Sequence, residues 1–88
     1  MKNFVYILRD DKGKFYIGST NNLKRRLSAH LNGHTQTTSR MINPVIVLAQ
    51  EYETLECARK IERRLKKLKR RDYIEKMVKE GYIKMTPS

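Results

Sequence analysis

A few side chains in this sequence have the types and spacing to do chemistry: Tyr6, Tyr16, Arg26, His30 and Glu62. Leu23, Leu27 and Leu31 recur at every fourth position, and at about 100° per residue they form the stripe of an amphipathic helix. Arg26 and His30 lie one turn apart on one edge of that stripe, whereas Arg25 faces water. An arginine at such an edge can meet negative charge, although an arginine whose stem merely packs there is the plainer account. Glu62 falls in the sector held by Leu55, Ala58, Ile61 and Leu65 on a helix that is otherwise basic. Two readings stand for it. One is an i,i+4 pair with Lys66, worth a few tenths of a kcal/mol. The other is a ligand for a hard divalent cation, Mg²⁺ or Mn²⁺, which needs few protein oxygens because water and phosphate complete its octahedron. Tyr6 and Tyr16 each sit in a short β-branched run, and singly each reads as a core residue.

The elements that would position these groups follow from the same pattern. Phe4 to Leu8 and Phe15 to Ile17 read as a β-hairpin whose turn contains Gly13. Asn21-Asn22 caps the first helix, which stops near Asn32-Gly33. Residues 34 to 43 carry no periodicity and read as a loop closed by Pro44, before a third strand from Val45 to about Tyr52. Thr54 caps a long helix with the stripe Leu55, Ala58, Ile61, Leu65 and Leu68. A last helix begins at Asp72, with Glu75 three positions on in a capping-box arrangement. It presents Tyr73, Ile74, Met77 and Val78, and stops at Gly81. The order is β-β-α-β-α-α, an α+β fold with a three-stranded antiparallel or mixed sheet flanked by helices.

Length and charge narrow the partners. The 88 residues suffice for one domain, since a chain of this size buries roughly 60% of its unfolded surface. The expected layout is a single unit over 1–88, with a core over 3–70 and a C-terminal helix over 72–81. Twenty Lys and Arg against nine Asp and Glu give a formal charge of +11. Between residues 59 and 71 Glu62 is the sole acid among Lys and Arg. Taken as one continuous helix, this run clusters Arg59, Arg63, Lys66, Lys67 and Arg70 opposite the apolar stripe, and Lys24 and Arg40 add to the imbalance elsewhere. The matching partner is a phosphate backbone, bound with strong salt dependence. An anionic membrane surface fits less well, because the face opposite the charges is needed for the core. No apolar stretch approaches the roughly 20 residues of a membrane span, and the N-terminus lacks a signal-peptide cleavage pattern, so a cytoplasmic protein is expected. Cys57 stands alone, which excludes an internal disulfide and a Cys/His zinc site and leaves it as a small buried helix residue.

Taken together, the order and spacing of these residues resemble the GIY-YIG nuclease family, in particular its small single-domain bacterial, UPF0213-type branch. The resemblance spans about residues 3 to 70. It rests on Val5-Tyr6-Ile7 for the first tripeptide and Tyr16-Ile17-Gly18-Ser19 for the second. Asn22-Leu23-Lys24-Arg25-Arg26-Leu27 with His30 supplies the arginine helix, and Ala58 through Glu62 the acidic helix. It implies hydrolysis of a DNA phosphodiester by a single-metal, one-step displacement. Tyr6, assisted by His30, would orient or deprotonate the attacking water, and Tyr16 would hold the water or the phosphate. Arg26 would neutralise the charge growing on the phosphate oxygens. Glu62 would hold Mg²⁺ or Mn²⁺ beside the leaving 3′ oxygen.

The expected partner is DNA of branched, nicked or damaged form, in repair or recombination, since so small a domain has little area for reading base sequence. The other reading is a nucleic-acid-binding module of the same fold that does not cleave, or does so only with a partner. Three features depart from the family pattern: Val5 replaces the Gly of the first tripeptide, a common substitution in this branch that leaves the Tyr intact, Ser19 stands where excision-repair members carry Lys, and no Asn follows Asn43. In place of that late Asn, Lys66 or the Thr38-Ser39-Arg40 loop would position phosphate. For Tyr6 and Tyr16 to work together they must share a face of the hairpin, which requires a loop of odd length.

Overall fold

In the computed structural model, which describes residues 3–31, 44–68 and 70–84, the chain opens with a hairpin of β1 (Asn3–Arg9) and β2 (Phe15–Thr20). Asp10 organises its turn. One carboxylate oxygen, Oδ1, accepts the backbone N–H groups of Lys12 (3.0 Å) and Lys14 (2.8 Å), and the Asp10 carbonyl accepts that of Gly13 at 3.0 Å. Gly13 takes a φ of 81°, a conformation that suits glycine and disfavours other residues. The loop over residues 10–14 has odd length, and the register puts Tyr6 opposite Gly18 and Leu8 opposite Tyr16. β2 runs past Ile17, where the sequence reading ended it, so Gly18 and Ser19 belong to the strand.

β3 (Val45–Tyr52) pairs with the other side of β1, giving an antiparallel sheet in the order β2-β1-β3. The register steps between Ile7, opposite Leu48, and Leu8, opposite Ile46, so Val47 is an extra residue of the kind that bends and twists a strand. Side chains alternate across the sheet. Val5, Ile7 and Leu48 enter a core with Ala58, Ile61 and Leu65 of α2 (Leu55–Leu68), Ile74 and Met77 of α3 (Arg71–Glu80), and Ile83; Ile17 and Phe15 pack against it. On this face the Gln50 amide closes the C-terminal segment. Its Oε1 accepts the Ile83 N–H at 2.6 Å and its Nε2 donates to the Ile83 carbonyl at 3.3 Å, as another strand's backbone would.

The other face of β1 carries Tyr6 and Leu8, both fully buried, and α1 (Leu23–Leu31) serves this side, with Leu23 and Leu27 half-buried. The helix starts read from sequence hold for α1 and α2. The Asn22 Oδ1 accepts the Arg25 N–H at 3.1 Å, and the Thr54 Oγ1 accepts that of Cys57 at 3.1 Å. The stop near Gly33 and the loop over 34–43 lie outside the described residues. Gly81 ends α3 as expected, in a left-handed conformation, its N–H donated to the Met77 carbonyl at 2.8 Å.

The C-terminal half corrects three expectations. The basic run is not one continuous helix: α2 ends at Leu68, and Arg70 is the extended N-cap of α3 (φ −117°, ψ 105°). The turn between them lets Ile74 and Met77 reach the same core that α2 already covers. The Asp72/Glu75 capping box does not form, because the helix starts at Arg71 with Arg70 as its N-cap and Asp72 falls inside the first turn; the two acids pair with arginines instead, Arg70 Nη2 donating to Asp72 at 2.9 Å and Arg71 Nε to Glu75 at 2.9 Å. Tyr73 is turned outward under the Arg70 guanidinium, which lies 4.5 Å from the ring centre. Cys57 is half-buried and free.

Candidate active site

Strand alternation brings the two tyrosines together. Tyr6 on β1 and Tyr16 on β2 sit diagonally on the second face, with ring centres 6.3 Å apart. The Tyr6 phenol lies across Gly18. A Cβ at Gly18 would come within 2.5 Å of Tyr6 Oη and 2.6 Å of Cζ, so this glycine of the second tripeptide provides space for the ring. Arg25 and Arg26 of α1 are both exposed, and of the two it is Arg26 that donates a side-chain hydrogen bond to Tyr6. The helical wheel distinguished these two arginines in the same way. His30 lies on α1 one turn further along, and its side chain is outside the described residues.

The electrostatics of this cluster favour a neutral phenol at Tyr6. Burial is the largest effect and Tyr16 adds to it. Arg26 opposes through its hydrogen bond and its charge, and the Glu62 carboxylate adds a smaller upward push; the result is a Tyr6 pKa pushed up from 10.0 to about 12. Tyr6 is therefore poised to hold a hydrogen bond and poorly suited to take a proton.

Glu62 arrives from the opposite layer. Ser19 follows Gly18 on β2 and points to the α2 face, where its hydroxyl donates a short hydrogen bond to Glu62 Oε1. The other carboxylate oxygen, Oε2, accepts from Lys66 Nζ at 2.7 Å. Sequence reasoning missed Ser19 and the purpose of Gly18. Both were readable once the register was known: a hydroxyl on an otherwise apolar face needs a partner, and a glycine opposite a tyrosine makes room for a ring. The site thus wraps around β2, with Tyr6, Tyr16 and Arg26 on one side and Ser19 and Glu62 on the other.

Glu62 also lines an open groove of about 480 Å³ with Glu56, Arg59 and Arg63. Among the described residues no three His, Cys, Asp or Glu converge as a preformed metal cage. One carboxylate held by Ser19 and open to a groove fits Mg²⁺ or Mn²⁺, which are bound through one or two carboxylates while water and phosphate supply the rest. It does not fit a closed zinc or calcium site.

Of the cations read as phosphate contacts, Arg59, Arg63 and Lys67 on α2 and Lys24 on α1 are exposed and form no ion pair with a described residue. Arg70 is not on the α2 face and is engaged by Asp72 at 2.9 Å, and Lys66 is engaged by Glu62. Arg40 lies outside the described residues.

Comparison with known proteins gives this arrangement its class. The GIY-YIG catalytic domain matches residues 2–77, and the chain belongs to that family. It is similar to a UPF0213 protein of Clostridium perfringens, 36% identical over 74 residues that cover 83% of this chain and 80% of the relative. It is also similar to one of Bacillus velezensis, 34% identical over 91 residues covering 97% and 92%. Among solved structures, the solution structure of a UPF0213 protein from Bacillus halodurans superposes with a TM-score of 0.59 at 28% identity, covering 92% of this chain and 87% of that one. No helix among the described residues is long and apolar enough to cross a membrane.

Proposed function

We propose that this protein is a small metal-dependent DNA endonuclease that prefers a DNA structure to a long base sequence. The observation that carries the reading is the placement of Tyr6, Tyr16 and Arg26 on one side of the edge strand β2, with Ser19-held Glu62 on its other side yet near enough to act on the Tyr6 phenol. Arg26, already hydrogen-bonded to Tyr6, turns toward the scissile phosphate and stabilises the charge that grows on its oxygens. Tyr6, kept neutral by burial, orients the attacking water, and Tyr16 holds the water or the phosphate. Proton removal falls to His30, which the sequence places one turn beyond Arg26. Glu62 would hold the cation through Oε2, and Mg²⁺ or Mn²⁺ bound there would supply Lewis-acid stabilisation of the leaving 3′ oxygen. Lys24, Arg59, Arg63 and Lys67 grip flanking phosphates without reading sequence.

The test is incubation of supercoiled plasmid and branched DNA with the protein in Mg²⁺, Mn²⁺ or EDTA, beside Glu62→Ala. Cleavage that needs the metal and is lost in the variant supports the reading. Cleavage that survives the substitution identifies a contaminant. Salt-sensitive binding without cleavage supports instead a binding module that works with a partner.

A further inference from the structure

The two sequence readings of Glu62, ion pair or metal ligand, compete with each other, because the Lys66 ammonium and a divalent cation would draw on the charge of the same carboxylate. Ser19 holds Oε1 by its hydroxyl, so the oxygen left for a cation is Oε2. Lys66 Nζ covers that oxygen at 2.7 Å. The lysine side chain is 53% exposed and the glutamate 20%, so Lys66 is free to swing into solvent while Glu62 is not. The groove beside them adds Arg59 and Arg63, and its other acid, Glu56, is paired with Lys60 at 3.7 Å. A divalent cation approaching the free protein therefore meets one carboxylate already neutralised by an ammonium, within a field of further positive charge.

We infer that Lys66 is a stand-in cation that occupies the metal's place on Glu62 in the DNA-free protein. The inference rests on the metal-dependent reading above and deepens it. A phosphate entering the groove offers Lys66 a competing oxygen of full negative charge, and the ammonium moves there. Glu62 Oε2 is freed as the same phosphate brings its own oxygens to the site. Metal and DNA then promote each other's binding, as linkage requires when each displaces the same ion pair. Lys66 thereby becomes a positioning residue that ties metal loading to the presence of substrate, a role different from that of the exposed Arg59, Arg63 and Lys67.

The test needs neither DNA nor cleavage. Binding of Mn²⁺ to the free protein is followed by the loss of the free-ion electron paramagnetic resonance signal, in wild type, Lys66→Met, Lys66→Arg, Lys67→Met and Glu62→Gln, each checked for an unchanged thermal midpoint. The expected result is Mn²⁺ affinity about five- to tenfold tighter in Lys66→Met, from loss of the competing pair and of its repulsion of the ion. Lys66→Arg is expected to stay near wild type, Lys67→Met to change by less than about twofold under ordinary screening, and Glu62→Gln to abolish binding at this site. Equal affinity in wild type and Lys66→Met, with Glu62→Gln still abolishing it, overturns the stand-in role while leaving the metal reading intact. Equal tightening in Lys67→Met overturns it in favour of net charge alone. Absence of Mn²⁺ binding in both wild type and Lys66→Met overturns the stand-in role, while the metal reading is decided by the plasmid cleavage assay in Mg²⁺, Mn²⁺ or EDTA.

Discussion

The two faces of the opening hairpin are built from alternate residues of the same strands, yet they are made differently. Toward α2 and α3, Val5, Ile7 and Ile17 meet Ala58, Ile61, Leu65, Ile74 and Met77, all apolar, in a core held by area and shape. Toward α1, Tyr6 lies over Gly18, beside Tyr16, under the exposed Arg26, with its hydroxyl bonded and its charge state constrained. Apart from the Ser19–Glu62 bond and the Gln50–Ile83 pair, the first face needs only apolar side chains of suitable size, whereas the second demands particular atoms. The difference suggests how a chain of 88 residues supports a site at all: one face keeps the strands in place so that the other can carry polar groups at fixed distances.

The largest stability effect belongs on the core face. Ile61 is fully buried, so Ile61→Ala should cost about 2–5 kcal/mol in urea unfolding. Any cleavage it retains should fall only with the folded fraction. A loss of activity at full folding would erase the distinction between the faces.

Next is a pH effect confined to the second face. The Tyr6 pKa is raised from 10.0 to about 12, so the stability from its neutral form is complete below pH 10 and is lost as pH climbs through 12. At ~1.4 kcal/mol per unit, the loss approaches roughly 2–3 kcal/mol. Tyr6→Phe should flatten that part of the alkaline stability curve, with tyrosinate absorbance as the direct monitor. A curve identical to wild type would mean that the ring is wetter than its burial indicates.

Gly18→Ala comes third. A methyl group 2.5 Å from Tyr6 Oη overpacks the site by about 1–3 kcal/mol. It should also move the Tyr6 resonances more than those of Ile61. The smallest effect is Ser19→Ala, about 1.5 kcal/mol, the low end for one hydrogen bond to a carboxylate that is partly exposed. Its consequence should appear in Mn²⁺ affinity more than in the melting curve, since Ser19, at the edge of the core face, holds Glu62 Oε1.

The core face was legible in the sequence because its signals are local and repeat. The spacing of Ala58, Ile61 and Leu65, the caps at Asn22 and Thr54, and the Gly81 stop each involve neighbours within a turn or two. The shared face of Tyr6 and Tyr16 was also within reach, since it depends only on the parity of the hairpin loop. What failed were places where one local signal competed with another. Asp72 and Glu75 match a capping box, but the helix starts earlier, at Arg71, so Asp72 lies inside its first turn and both acids pair with Arg70 and Arg71. The run from 59 to 71 looked continuous because its charges are, while the break after Leu68 is set by where Ile74 and Met77 must arrive. The Ser19–Glu62 bond joins residues 43 apart in sequence and leaves no local trace.

The central claim is that the exposed Arg26 does chemistry and contributes little to holding the fold. Single-turnover cleavage of plasmid DNA by Arg26→Ala in saturating Mg²⁺, measured at a temperature where its unfolding curve coincides with that of wild type, tests it most directly. The account predicts a fall of about 100- to 1,000-fold in rate, the cost of removing a group that stabilises developing charge, with the thermal midpoint unmoved. A wild-type rate, or a loss of rate matched by a loss of folded protein, would contradict it.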